Sequence, residues 1–115
     1  MSDLRLLFDR LKALLLAHVP PCAVHCDEPY LFHIGIGGGL TGPRILFGGC
    51  QLKSDHVAFY LEPLRLHPYL LRSTTGHFRH HLRAENLFAL VRDDHELLAE
   101  LQALIGRARR HVIDN

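Results

Sequence analysis

The fold class is decided by residues 30–61, which read YLFHIGIGGGLTGPRILFGGCQLKSDHVAFYL. Apolar side chains recur there at every second position, which is the spacing of strands with one buried face. The pattern predicts three strands, at Tyr30–Ile36, Arg44–Leu52 and His56–Leu61. A glycine-rich segment and the turn Lys53-Ser54-Asp55 connect them. Because short connections join antiparallel strands, the stretch predicts an antiparallel meander.

Amphipathic helices are predicted on both sides of this meander. The first is ended by Pro20 and Pro21, and its apolar stripe consists of Leu4, Leu7, Phe8, Leu11, Leu14 and Leu15. Leu6 and Leu16 fall off the stripe, which indicates cover on more than one side. The last helix carries a stripe of Leu97, Leu101, Leu104, Ile105, Ala108 and Val112. Asp93 is its predicted N-cap, and Glu96 would complete a capping box.

Shorter elements are predicted between the meander and the last helix. They are a helical piece at Leu64–Leu71, a second short helix or turn at Gly76–Leu82, and a brief strand at Asn86–Val91. Strands therefore come in a block and do not alternate with long helices, which is typical of the α+β class. We predict a single α+β domain over residues 1–115. Its curved antiparallel sheet, of about four or five strands, would pack against N- and C-terminal helices.

Composition excludes several classes of protein. The chain has 115 residues, 13 Lys and Arg against 12 Asp and Glu, and ten histidines. A net charge of +1 argues against a dedicated nucleic-acid binder, which usually has a basic surface. No apolar run reaches the length of a membrane span. Three cysteines do not make a disulfide framework, so we expect free thiols and a cytoplasmic location.

Two groups of residues are candidates for zinc or iron binding. His77, His80 and His81 have the spacing that places side chains on one face of a helix. Cys22, His25 and Cys26 resemble half of a zinc site. A closed zinc site needs four ligands, and Cys50 is the one other thiol in the chain. Free thiols and solvated imidazoles are the competing interpretation of both groups.

Other patterns bear on ligand binding and catalysis. Lys53, His56 and Tyr60 are the candidate polar lining of a ligand groove, because His56 and Tyr60 share one face of a predicted strand. Cys50 with His56 is a candidate nucleophile and base, although a structural cysteine is the commoner role on a strand. Gly37–Gly42 matches the dinucleotide-binding pattern, but a strand follows it where a helix is required. This segment is therefore predicted to be a hairpin loop.

The run from Ile45 to Pro63, ILFGGCQLKSDHVAFYLEP, resembles the YdhG-like domain-of-unknown-function family. The similarity continues through Pro68–Leu71 and the closing helix at Asp94–Leu101. The resemblance implies a compact α+β domain with a curved antiparallel sheet, grouped with frataxin-like folds. It brings no catalytic residues, although some family members are described as iron chaperones.

This chain departs from the family pattern at several positions. Glu85 and Val91 replace two lysines of a strand, and Tyr60 replaces a histidine. The first helix offers only Asp3 and Asp9, where frataxin-type iron delivery uses an acidic ridge. These departures weaken the expectation of iron or anion binding that the resemblance implies.

The sequence thus predicts a small non-enzymatic domain that binds a small molecule or a protein partner. Nucleic acid and membranes are not expected partners. A homodimer is an open alternative, because uncovered sheet edges invite pairing. Metal handling with iron or zinc and a small cysteine-dependent enzyme are the alternative functions.

Overall fold

The structure is a computed structural model that describes residues 3–37 and 42–114. Its helices are α1 (Asp3–Leu16), α2 (Pro63–Leu66), α3 (Gly76–Arg79) and α4 (His95–Val112), with a 3-10 helix at Pro68–Ser73. Its strands are β1 (Ala23–Glu28), β2 (Leu31–Gly37), β3 (Arg44–Leu52), β4 (Val57–Leu61), β5 (Leu82–Ala84) and β6 (Leu87–Leu90). No helix in these ranges is long and apolar enough to span a membrane.

The strands form one antiparallel sheet in the order β1-β2-β3-β4-β6-β5. The predicted α+β class and the meander of β2, β3 and β4 are confirmed. The sheet has six strands, however, and not four or five. The two additional strands lie at its edges. Ala23–Glu28 shows no apolar alternation and Leu82–Ala84 has only three residues, so neither carries a periodic signal.

The core lies on one face of the sheet, which we call the inner face. Phe32, Cys50, Phe59 and Phe88 lie opposite one another on β2, β3, β4 and β6, and all four are fully buried. The leucines of α1 and α4 join them in one hydrophobic cluster. Burial of such side chains stabilises the fold by about 1.5–3 kcal/mol each. The inner face is therefore the face that the long helices cover.

The two long helices agree with their predicted stripes, with two corrections. Leu6 and Leu16 are 48% and 41% exposed, so α1 is covered on one side only. The N-cap of α4 is Asp94 and not Asp93, because the Asp94 carboxylate accepts hydrogen bonds from the backbone N–H groups of Glu96 and Leu97. Asp93 instead forms an ion pair with Arg10 of α1, at 2.9 Å.

The segment before the last hairpin also differs from the prediction. The short helix or turn predicted over Gly76–Leu82 is a helix at Gly76–Arg79 followed by a turn, and Leu82 belongs to β5. The Thr75 hydroxyl caps this single turn by accepting from the backbone N–H of Phe78. Beyond it, the backbone N–H of Ala89 donates to the carbonyl of His81, which draws the chain into the sheet. Pairing with β6 thus ends the helix early.

The predicted hairpin loop at Gly37–Gly42 falls partly on residues 38–41, which lie outside the described residues. At its borders Gly37 pairs with Arg44 in antiparallel register. Gly37 has a φ of 79°, a conformation that glycine adopts at little cost. Arg44 begins β3, so the helix that a dinucleotide-binding motif requires does not follow.

Two glycines in the middle of β3 allow close packing on both faces of the sheet. A Cβ on Gly48 would lie 3.1 Å from Leu15 of α1, on the inner face. A Cβ on Gly49 would overlap the His33 ring and lie 2.6 Å from the Phe32 carbonyl oxygen. Gly48 therefore admits the helix, and Gly49 admits an imidazole on the opposite face.

We expect Gly49→Ala to lower the free energy of unfolding by about 2 kcal/mol, because the added methyl group must displace either the ring or the backbone. The matched control is Gly76→Ala, since a Cβ on Gly76 would meet no atom within 4 Å. Urea unfolding followed by circular dichroism measures both variants. Equal stability of Gly49→Ala and the parent protein would contradict the packing described here.

Candidate functional site

The second face of the sheet, which we call the outer face, is the candidate functional site. His33, Gly49, Tyr60 and Leu87 lie opposite one another across β2, β3, β4 and β6 on this face. The side chains of His33, Tyr60 and Leu87 are only partly buried. The buried leucines of α1 and α4 belong to the inner cluster. In the described part of the chain, the long helices thus leave this face accessible.

Two neighbouring depressions mark the outer face. The central depression has a volume of about 460 Å³, and its floor and walls include Leu31, His33, Leu46, Gln51, Tyr60 and Leu87. The edge depression has a volume of about 510 Å³, and its lining includes His56, His80, His81, Arg83, Leu87 and Ala89. Leu87 lines both. We call the two together the outer trough. Each volume lies within the range of small-molecule sites.

The polar centre of the trough is built from three side chains on three strands. The Tyr60 hydroxyl donates a hydrogen bond to the Gln51 side-chain oxygen at 3.0 Å. The His33 ring meets the Tyr60 ring edge-on, with centroids 6.2 Å apart. Burial, and then the neighbouring His25, lower the pKa of His33 below its usual value of 6.5. His33 is therefore a neutral imidazole at neutral pH, able to donate and to accept.

His25 extends this polar centre toward the edge of the sheet. A Cβ on Gly35 would overlap the carbonyl oxygen of Ile45 and would lie 2.8 Å from the His25 ring, so glycine again makes room for an imidazole. The Nε2 atom of His25 is buried and has no hydrogen-bond partner within the described residues. An imidazole nitrogen beside the trough thus has an unused hydrogen-bonding position.

Opposite charges are already paired at the rim of the central depression. Arg65 Nε lies 2.6 Å from the Glu62 carboxylate, and the Asn86 amide donates to the other carboxylate oxygen at 3.0 Å. Both Glu62 oxygens are therefore occupied. At this end of the trough the charges of Glu62 and Arg65 therefore neutralise each other.

The edge depression has a different polar character. The Arg83 guanidinium donates to the backbone carbonyls of His80 and Leu82, at 3.0 and 3.1 Å. Asp55 lies 2.7 Å from His56 Nδ1, and this hydrogen bond lowers the pKa of the Asp55 carboxyl. The side chain of Asp55 is 83% exposed, so water screens much of its charge.

The three side chains predicted to line a ligand groove have different positions. Tyr60 lies in the central depression and His56 in the edge depression. Lys53 is exposed at the turn between β3 and β4, where its backbone N–H donates to the His56 carbonyl. Lys53 lines neither part of the outer trough. The structure thus brings two of these residues to the same face in adjoining depressions.

The structure does not bring the predicted metal ligands together as a site. No group of three or more His, Cys, Asp or Glu side chains within residues 3–37 and 42–114 is arranged to hold a metal ion. The rings of His77 and His81 are 5.6 Å apart, and those of His80 and His81 are 6.5 Å apart. The expected shared face needs a continuing helix, and α3 ends before His80.

The cysteines are separated by burial and by their elements. Cys22 and Cys50 are buried, whereas Cys26 is partly exposed on β1, with its sulfur 3.9 Å from the Leu31 carbonyl. The structure therefore places Cys26 on a strand. Burial raises the pKa of Cys50 to about 12. The nucleophile would be the thiolate, so Cys50 in this state is unreactive.

A cluster that the sequence did not indicate joins the 3-10 helix to the end of α4. The Tyr69 hydroxyl lies 2.5 Å from His111 Nε2 and 3.3 Å from His67 Nδ1. The two imidazole centroids are 4.4 Å apart. Tyr69 and His111 are 42 positions apart in sequence, so no local spacing could have predicted the contact.

Comparison with known proteins adds no assignment. No protein-family model, no curated protein and no solved structure matches the chain. The resemblance to the YdhG-like family therefore remains a prediction, together with the frataxin-like grouping and the iron-related role that it implies.

Stability is expected to increase with pH in the acid range. Burial lowers the pKa of both His18 and His33 from 6.5, so below that pH the unfolded chain binds more protons than the folded chain. The free energy of unfolding should fall from about pH 7 to about pH 5 and be level above the histidine range. Urea unfolding at several pH values measures this dependence.

His33→Gln should reduce that pH dependence, whereas His95→Gln at the exposed start of α4 provides the matched control. An unchanged pH dependence in His33→Gln would show that this imidazole is not held neutral by its surroundings.

Iodoacetamide should distinguish the three thiols of the folded protein. We expect alkylation of Cys26, which is partly exposed, and protection of Cys50, which is buried with a raised pKa. In urea all three should react. Peptide mass spectrometry locates the modification, and alkylation of folded Cys50 at the rate of a free thiol would contradict this arrangement.

Proposed function

We propose that this chain is a non-enzymatic binding protein whose outer trough holds a small organic molecule. The observation that carries the proposal is the outer face itself, which has two adjoining depressions and a shared apolar floor at Leu87. Small-molecule sites are typically concave and mostly apolar, with a few placed polar groups. The trough combines an apolar floor at Leu31, Leu46 and Leu87 with polar side chains at its centre and rim.

The central depression supplies both components of such a site. Leu31, Leu46 and Leu87 offer apolar surface that is only partly buried in the free protein. Tyr60 and Gln51 hold each other by a hydrogen bond, which fixes both side chains before a ligand arrives. A preorganised polar group costs less entropy on binding than a mobile one. Tyr60 and His33 would orient a ligand by hydrogen bonding while the leucines contact its apolar part.

The position and the raised pKa of the Cys50 thiol favour binding without catalysis over the alternative of a cysteine-dependent enzyme. Cys50 lies on the inner face among Phe32 and Phe59, away from the trough. Its raised pKa keeps it in the thiol form. We further propose a cytoplasmic location, which is supported by the three free cysteines.

Nile red, a neutral dye whose fluorescence rises in apolar surroundings, tests the proposed site. Leu87→Glu would introduce a charge into the floor that both depressions share, so we expect dye affinity to fall by about tenfold or more. The matched control is Leu66→Glu. Leu66 is 78% exposed and lines a neighbouring apolar groove with Ile45 and Val112. This groove shares Leu46 and Glu62 with the central depression, but Leu66 lines neither part of the outer trough.

The two variants distinguish dye binding in the outer trough from dye binding in the groove that contains Leu66. Loss of dye binding in Leu87→Glu but not in Leu66→Glu supports the trough. Unchanged binding in Leu87→Glu, or loss only in Leu66→Glu, overturns the proposal. Circular dichroism and the urea midpoint establish that both variants are folded.

A further inference from the structure

We infer that the ligand of the outer trough is an amphipathic anion, with its acidic group at Arg83 and its apolar part on Leu87. This inference rests on the proposed function and names the chemical class of its ligand. It follows from the unequal polarity of the two ends of the trough.

Arg83 is the charge that distinguishes the edge depression. Among the described residues, no carboxylate forms an ion pair with its guanidinium, whose N–H groups contact only the backbone carbonyls of His80 and Leu82. A guanidinium carries five N–H donors, so donors remain for a ligand. Its planar fork matches a carboxylate or a phosphate.

Asp55, the other formal charge of this depression, does not form an ion pair with Arg83. Asp55 is the carboxylate in its lining, and it is engaged by His56 at 2.7 Å and largely exposed to water. His80 and His81 add imidazoles to the same lining. Arg83 therefore presents N–H donors that no carboxylate of the described residues uses, which favours an anion at this point.

Apolar surface leads from Arg83 into the central depression. Leu87, Ala89 and Val91 line the edge depression, and Val91 is 53% exposed. Leu87 continues into the central depression, where Leu31 and Leu46 follow. At the far end Glu62 is paired with Arg65 and Asn86, so the charges of the described residues are already matched there. The trough thus fits a molecule with one charged end.

Three probes with the same hydrocarbon chain test this polarity: n-octanoate, n-octanol and n-octylammonium. Binding is measured by titration of backbone amide resonances in NMR spectra of the full chain. We expect octanoate to bind about tenfold more tightly than octanol, because its carboxylate adds one charge-assisted hydrogen bond to Arg83. Octylammonium should bind most weakly, because its charge has the same sign as that of Arg83. The largest shifts should fall on Arg83, Leu87 and Ala89.

Variants of Arg83 separate the charge from the shape of the site. Arg83→Gln should lower octanoate affinity to that of octanol and leave octanol binding unchanged. Arg83→Lys should retain most of the preference, because it retains the charge. The matched control is Arg72→Gln, an exposed arginine of the 3-10 helix that lines neither depression.

The outcomes distinguish this inference from the function on which it rests. Equal affinities for octanoate and octanol, both lost in Leu87→Glu, would overturn the anionic ligand and leave the apolar site standing. Octanoate preference that survives Arg83→Gln would also overturn it. Absence of binding by all three probes would overturn both the inference and the proposed function.

Discussion

The packing of α1 and α4 against one face of the sheet is the interaction on which the rest of the structure depends. The fully buried row of Phe32, Cys50, Phe59 and Phe88 needs that cover, because large apolar side chains are stable only out of water. Gly48 brings α1 close by leaving room for Leu15. In the described residues both long helices serve this face, so the opposite face depends on its own side chains.

On the outer face, small residues and flat rings cover the strands in place of a long helix. Ala58 is almost fully buried there. Gly35 and Gly49 let His25 and His33 lie against the strands. The result is a shallow surface of mixed polarity, which stays compatible with water and still offers apolar contact. Such a surface can bind a ligand without first opening the core.

The sequence predicted the elements in which apolar residues recur at a regular spacing, and it did not predict the elements that lack such a spacing. The stripes of α1 and α4 and the alternation in β2, β3 and β4 were sufficient for the α+β class. β1 and β5 were not predicted, because these edge strands bury few side chains and so show no apolar alternation. The cap of α4 was misplaced by one residue, since two adjacent aspartates could each serve. In the structure Asp94 accepts the capping hydrogen bonds, and Asp93 pairs with Arg10 of the distant α1.

The candidate site was predictable only in part for a related reason. His56 and Tyr60 were chosen from one strand, and both lie in the trough. Arg83 lies on β5 and Leu87 on β6. Both line the trough because β6 pairs with β4 and β5 is the edge strand beside β6. That order is a long-range property that no local pattern contains. The histidines likewise lie on several elements, and within residues 3–37 and 42–114 no three of them are arranged to hold a metal ion.

A structure of the chain crystallised with n-octanoate tests the outer trough most directly. If the trough is the binding site, the hydrocarbon chain will lie on Leu87 between β4 and β6, with the carboxylate within hydrogen-bond distance of Arg83. Octanoate seated instead in the groove of Ile45, Leu66 and Val112, with the outer face empty, would contradict the central claim that the uncovered face of the sheet is the binding site.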